Sequence, residues 1–173
     1  MFRALVLPLL SIGLLTSLAA ADEKYTSAAG KYSATFPDKP KEFSTPDGDV
    51  NPAMGRYKYY SASLEVNKDD AYMVMHHDYP QGVIKDEPQI VLERVKDGWK
   101  GDKGRVVEDR EIALGADKVP GRAFIVTNGA YFYRARIFLK DSRLYQVIVI
   151  GKSKEFVAAP AADKFLDSFE VAK

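Results

Sequence analysis

Asn128-Gly129 stands between two runs of alternating residues, and no other short stretch constrains the fold as strongly. Successive strand side chains point to opposite faces, and the tight turns that match strand twist need residues tolerant of positive φ, for which Asn-Gly is the strongest signal. Runs 122–127 and 131–140 therefore form a hairpin, and a two-residue turn at Asp141-Ser142 leads into a third run, 143–150. Two-residue loops pair Val126 with Tyr131 and Phe124 with Tyr133, then Leu139 with Leu144 and Ile137 with Gln146. One face then gathers Phe124, Val126, Tyr131, Tyr133, Ala135, Ile137, Leu139, Leu144, Ile148 and Ile150, the expected main core face. The other carries Ala123, Ile125, Phe132, Arg134, Arg136, Phe138, Tyr145, Val147 and Val149, too apolar to stand bare in water. A second layer must cover it.

The rest of the chain supplies that layer and more strands. Tyr32 to Phe36 alternates and stops at Pro37, a short strand closed by a turn. From Pro37 to Pro52 there are four prolines and Asp47-Gly48, which reads as an irregular excursion. Arg56 to Val66 and Ala71 to Tyr79, split by the polar 67–70, form another hairpin. Asp86-Glu87-Pro88 opens a helix, with Asp86 as the cap and proline where its missing N–H is harmless. Val91, Leu92, Val95 and Trp99 share one face of it, so Trp99 reads as a core anchor, with a stacking platform for a sugar or base as the alternative. Gly98 and Gly101 end the run. After another strand, 106–114, and the sheet already described, Ser153 caps a terminal segment in which Pro160 starts a helix and Phe165, Leu166 and Phe169 form an apolar edge. The expected class is α+β: an antiparallel sheet with helices packed on its faces.

Residues 1–21 read as an export signal. Arg3 precedes an apolar stretch from Leu5 to Leu18, and Ala19-Ala20-Ala21 offers small residues before the charged Asp22-Glu23-Lys24. An uncleaved membrane anchor is the competing reading. Residues 22–173 are long enough for one core, so two units are expected: 1–21 as signal and 22–173 as a single domain, placed in a periplasm or outside the cell. The chain has no cysteine, so neither disulfides nor a lipidated cysteine enter the argument. Past residue 21 the basic and acidic side chains balance at 24 each, which disfavours a nucleic-acid binder, and no second apolar run reaches membrane-spanning length.

Tyr32-Ser33-Ala34-Thr35-Phe36-Pro37, the single helix before a long meander, the hairpin from Ala130 to Ile150 and the ending Phe165-Leu166-Asp167-Ser168-Phe169 together resemble the family typified by PsbP and Mog1, which includes exported bacterial domains of unassigned role. The resemblance spans nearly all of 22–173. It implies a central antiparallel sheet sandwiched by helices, in proteins that mostly bind or stabilise other proteins, and it transfers no active-site residue.

Candidate chemistry is sparse. His76-His77-Asp78 is the one histidine cluster; on a strand His76 and Asp78 share a face, and a metal there needs a further carboxylate. Surface or strand-end histidines, hydrogen-bonded locally, are the plainer reading. Asp47, Asp49 and Asn51 have the opening spacing of a calcium loop, but Pro52 and Lys58 occupy its glycine and glutamate positions. Gly98, Gly101 and Gly104 follow a helix instead of opening one and lack the Gly-Lys-Ser/Thr ending of a phosphate loop, so they read as a flexible helix exit. Asp69-Asp70 lies in a turn and its carboxylates face apart. There is no Gly-x-Ser-x-Gly elbow and no context that gives a histidine a serine partner. Arg134 and Arg136, among Phe132, Phe138 and Tyr145, suit a carboxylate, a phosphate or an acidic partner surface; an ion pair with Asp163 or Asp167 of the covering segment is the plainer reading. The expected function is non-catalytic and without a cofactor: binding or stabilising another envelope or extracellular protein through the surface of Arg134, Arg136 and Tyr145. The alternatives are a carrier of a small apolar or anionic ligand between sheet and helix, and metal-dependent hydrolysis around His76 and Asp78.

Overall fold

A computed structural model describes residues 22–51 and 55–172, with the backbone alone for 46–51 and 55–56. The signal expected at 1–21 lies outside the described residues. Ten strands and three helices follow in order: β1 (Glu23–Ser27), β2 (Tyr32–Phe36), β3 (Lys41–Asn51), β4 (Gly55–Glu65), β5 (Ala71–Asp78), α1 (Pro88–Lys100), β6 (Arg105–Leu114), β7 (Val119–Asn128), β8 (Tyr131–Lys140), β9 (Arg143–Gly151), α2 (Lys154–Val157), α3 (Pro160–Asp167) and β10 (Glu170–Val171). β3 to β9 make a seven-stranded antiparallel sheet of order β3-β4-β5-β9-β8-β7-β6, and β1, β2 and β10 make a small second sheet. α1 carries the chain from the centre of the large sheet to its far edge. The meander β6 to β9 then walks back until β9 pairs with β5.

Each face of the large sheet has its own core. On one face Phe124, Val126, Ala135, Ile137, Leu139, Leu144 and Ile148 meet Val91 and Leu92 of α1. On the other, Phe138, Tyr145, Val147 and Val149 meet Val157, Ala162, Phe165, Leu166 and Phe169, together with Tyr32, Ala34 and Phe36 of the small sheet. Burying one such aliphatic or aromatic side chain contributes about 1.5–3 kcal/mol, so the alternation that selected these faces also supplies most of what holds the layers. The α+β expectation and the covering layer are both present. Ser153 caps α2 by accepting a hydrogen bond from the Phe156 N–H, and Pro160 is the first residue of α3.

Four expectations need correction. The 37–52 excursion contains β3, because Pro46 and Asp47-Gly48 fall at a register irregularity between Thr45 and Asp49 on an edge strand, where a missing N–H breaks no ladder. Asn128 is not a turn residue. It pairs with Tyr131, and Gly129 alone of the two loop residues has positive φ, 61°, the pattern of a type II′ turn. The Asn128 amide instead donates to the Trp99 carbonyl at 3.2 Å, tying the hairpin to the end of α1. The shift is two residues, so every side chain keeps its face, and Val126 pairs with Tyr133 in place of Tyr131. Asp86 is not the cap of α1; Glu87 occupies that position without a side-chain bond, and the Asp86 carboxylate accepts from Arg94. The helix runs through Gly98 to Lys100, and its exit is packed, not loose: a Cβ on Gly104 would lie 1.9 Å from the Thr127 carbonyl oxygen.

Candidate functional site

Arg134 and Arg136 stand on the face that α3 covers, and both reach that helix. Arg134 pairs with Asp163 at 2.6 Å and donates to the Val157 carbonyl at 3.0 Å; Arg136 pairs with Asp167 and donates to the Leu166 carbonyl at 3.2 Å. The competing internal ion pairs are therefore formed. Phe138 and Tyr145, each 2% exposed, belong to the core beneath, where they cannot line a free surface; Phe132 is half-buried against the same cluster. The Tyr145 hydroxyl donates to the Gly30 carbonyl at 3.0 Å, and burial pushes its ionisation up.

The two arginines nevertheless line an open groove of about 380 Å³ with Glu108 and Arg110 of β6 and Leu166 of α3. A register shift between Val106 and Glu108 decides which β6 side chains face it. Beyond the shift, Glu108 opposes Ile125 and Arg110 opposes Ala123, so both point to the groove face while Asp109 turns toward α1. Arg110 escaped the sequence reading for that reason: plain alternation from Val106 puts it on the other face. β6 is one of the two edge strands of the sheet, and Val106 and Val107 at its bulge are 44% and 40% exposed.

Asp109, turned inward, completes a cluster that sequence reasoning missed. Lys96 on α1 is 4% exposed, and its ammonium meets Glu93 at 2.6 Å and Asp109 at 2.7 Å. Arg122 closes the ring with both Asp109 oxygens, at 2.7 and 2.8 Å, and with Glu93 at 2.6 Å. Burial opposes each buried charge, yet hydrogen bonds from Arg122 and Lys96 hold the Asp109 carboxyl below its usual range and those to Asp109 and Glu93 raise Lys96. The signal was present: Lys96 lies four residues after Leu92, on the apolar face of the helix, where an ammonium demands partners.

The histidines divide between the faces. His77 takes part in a chain under α1: the Trp99 indole N–H donates to Gln146 Oε1 at 2.7 Å, which leaves the Gln146 NH₂ to donate to His77 Nδ1 at 3.2 Å. Trp99 thus anchors the core against Tyr133. His76 corrects the expectation of a surface or strand-end histidine bonded locally: the alternation of β5 turns it into the core, wholly buried among Tyr32, Tyr60 and Tyr145, and neither ring nitrogen has a hydrogen-bond partner among the described residues. Burial brings both histidines down to about 4, with Arg143 adding to the effect at His76. Asp78 is bidentate to Arg143. His76 and Asp78 are thus each engaged by the fold, and no group of three or more metal-ligating side chains gathers among the described residues. Asp69 accepts from Tyr131 and Lys152, and the Lys152 bond lowers its carboxyl; Asp70 accepts from Asn67. The side chains of the calcium-like 47, 49 and 51 lie outside the described ones. No helix among the described residues is long and apolar enough to cross a membrane.

No protein-family model matches the sequence, and no curated protein matches it. Among solved structures, the solution structure of cyanobacterial PsbP (CyanoP) from Synechocystis sp. PCC 6803 is similar, with a TM-score of 0.57 and 13% identity over 95% of this chain and 97% of that one. The fold is PsbP-like. At that identity the likeness carries the architecture and no residue role.

Proposed function

We propose that this chain is an exported, non-catalytic domain that binds or stabilises another envelope or extracellular protein. The observation that carries the reading is the groove beside β6, where Arg110, Arg134 and Arg136 line one side of an edge strand whose bulge leaves Val106 and Val107 exposed. Arginine beside a small apolar patch with a polar rim is the composition of protein interfaces. Tyr145 drops out of the contact surface, and Arg110 and the β6 bulge enter it. Packing under both helices supports a partner over a small ligand held between sheet and helix. Trp99, Tyr133 and Gln146 fill the α1 side, while Phe165, Leu166 and Phe169, none above 3% exposed, fill the other. Export rests on the pattern of residues 1–21, and protein isolated from its host should have the mass of a chain beginning at Asp22.

A photo-crosslinking residue at Val107, with the chain expressed in its own host, tests the interface. Discrete adducts to one protein are expected from Val107 and not from the exposed Ile90 of α1, and Arg110→Glu should abolish them without moving the unfolding midpoint. Adducts of equal yield from both positions, or adducts indifferent to Arg110→Glu, would sink this surface. Native mass spectrometry of the same material reads the carrier alternative, since a retained small molecule at stoichiometric occupancy would replace the partner reading.

A further inference from the structure

β1 and the turn after it run past the β3–β4 edge of the large sheet and leave an open groove of about 550 Å³. Its walls combine aromatic rings with one acid: Tyr25 of β1, Tyr32 of β2, Tyr60 of β4 and Glu42 of β3. Ser27 and Ser44 add hydroxyls, and among the described residues no lysine, arginine or histidine lines it. Two contacts hold these groups in place. Tyr60 stacks on His76 with ring centroids 4.6 Å apart and planes 8° from parallel, so one π face is covered by His76 and the other is left to the groove. The Tyr25 hydroxyl donates to Glu42 Oε1 at 2.7 Å, which fixes the carboxylate beside the rings. Burial and Glu42 push Tyr25 up to about 12, so it remains a neutral donor there. His76, brought down to about 4 by burial, places no positive charge behind Tyr60 at neutral pH.

We propose that this groove binds a quaternary or methylated ammonium group, seated on Tyr60 and Tyr25 and paired with the Glu42 carboxylate. The face of a tyrosine ring carries negative potential, and a cation over it within about 6 Å of the centroid is attracted. A carboxylate at the rim adds Coulomb attraction, and no lysine or arginine among the described lining residues opposes it. A neutral ligand of the same shape gains neither term. The site shares no residue with the β6 groove, so failure of one reading leaves the other standing.

Choline and 3,3-dimethylbutan-1-ol, which differ in charge and hardly in shape, are titrated into the ¹⁵N-labelled protein. Choline should give saturable shifts at the amides of Tyr25, Glu42 and Tyr60, with the neutral alcohol about tenfold weaker. Glu42→Gln should weaken choline about fivefold, and Tyr60→Leu should abolish saturation. If Tyr60→Leu does not fold, Tyr60→Phe decides, since it keeps the ring and must keep the affinity. Sedimentation with phosphatidylcholine vesicles assigns the group to a lipid headgroup, and binding of free choline alone assigns it to a solute. Equal affinity for choline and the alcohol, or no saturable shift below about 100 mM, overturns the proposal.

Discussion

α1 and α3 pack on opposite faces of the same strands, and each is tied to them by ion pairs, yet the two sets of pairs do different things. Under α1, Lys96, Glu93, Asp109 and Arg122 form a closed ring in which the Lys96, Arg122 and Asp109 side chains are 5%, 14% and 19% exposed and only Glu93, at 42%, opens to water. Over α3, the Asp163 and Asp167 side chains that meet Arg134 and Arg136 are 50% and 63% exposed. Water competes for the carboxylates of the second set and reaches the first mainly through Glu93. Charges stripped of water hold one arrangement because every alternative leaves one of them unpaired, whereas half-solvated pairs can open at small cost. Like residue types at like distances therefore carry different weight. α3 depends on Ala162, Phe165 and Leu166, none above 2% exposed; α1 depends on its charges as well as on Val91 and Leu92.

The contrast breaks most readily at Asp109. Asp109→Ala leaves the Lys96 ammonium and the Arg122 guanidinium facing each other with Glu93 alone between them. Stripping a buried cluster of one partner costs about 3 kcal/mol, and denaturant unfolding should show a loss of that order with an unchanged slope. A loss below about 1 kcal/mol would mean that water enters the ring and that the two faces are alike.

The neighbouring histidines sharpen the same comparison through pH. Their folded values lie near 4, below the ordinary value of about 6.5 for an unfolded histidine, so the unfolded chain binds more protons between those limits. The stability they contribute is complete above about pH 6.5 and is lost as pH falls toward 4, by about 2–3 kcal/mol for each. His76→Phe and His77→Phe should each remove half of that slope. They should differ at pH 7. His77→Phe deprives the Gln146 NH₂ of its acceptor and costs about 1 kcal/mol, while His76→Phe removes two ring nitrogens that have no partner and should be neutral or stabilising. Equal effects at pH 7 would show that the unpartnered nitrogens of His76 cost nothing.

The same two faces explain how much of the molecule could be read from the chain. Alternation in 122–150 sorted the core residues correctly even though the first turn was misplaced, because a shift of two residues preserves parity. The pairing of Arg134 and Arg136 with Asp163 and Asp167 was within reach, since an apolar segment had to lie over them. What escaped depended on contacts distant in sequence or on broken periodicity. β10 pairs with β2 from the far end of the chain, and β3 hides behind Pro46. The bulge after Val106 sends Asp109 and Arg110 to faces that strict alternation reverses. The tyrosine groove joins β1, β3 and β4, and no local pattern places Glu42 beside Tyr25.

The smallest expected effect lies on the α3 face. Asp163→Asn and Asp167→Asn remove the charge from each pair and keep the shape. The arginines retain other partners, the Val157 carbonyl for Arg134 and the Leu166 carbonyl for Arg136, so neither guanidinium is stranded. Each substitution should cost about 0.5 kcal/mol or less, and raising the salt concentration should shrink even that in the parent protein, because pairs this exposed are screened. Urea unfolding of the double variant at low and high salt measures both terms. A loss above about 2 kcal/mol that salt leaves unchanged would show that these aspartates are as dry in solution as Asp109, and the α3 pairs would then belong with the ring under α1.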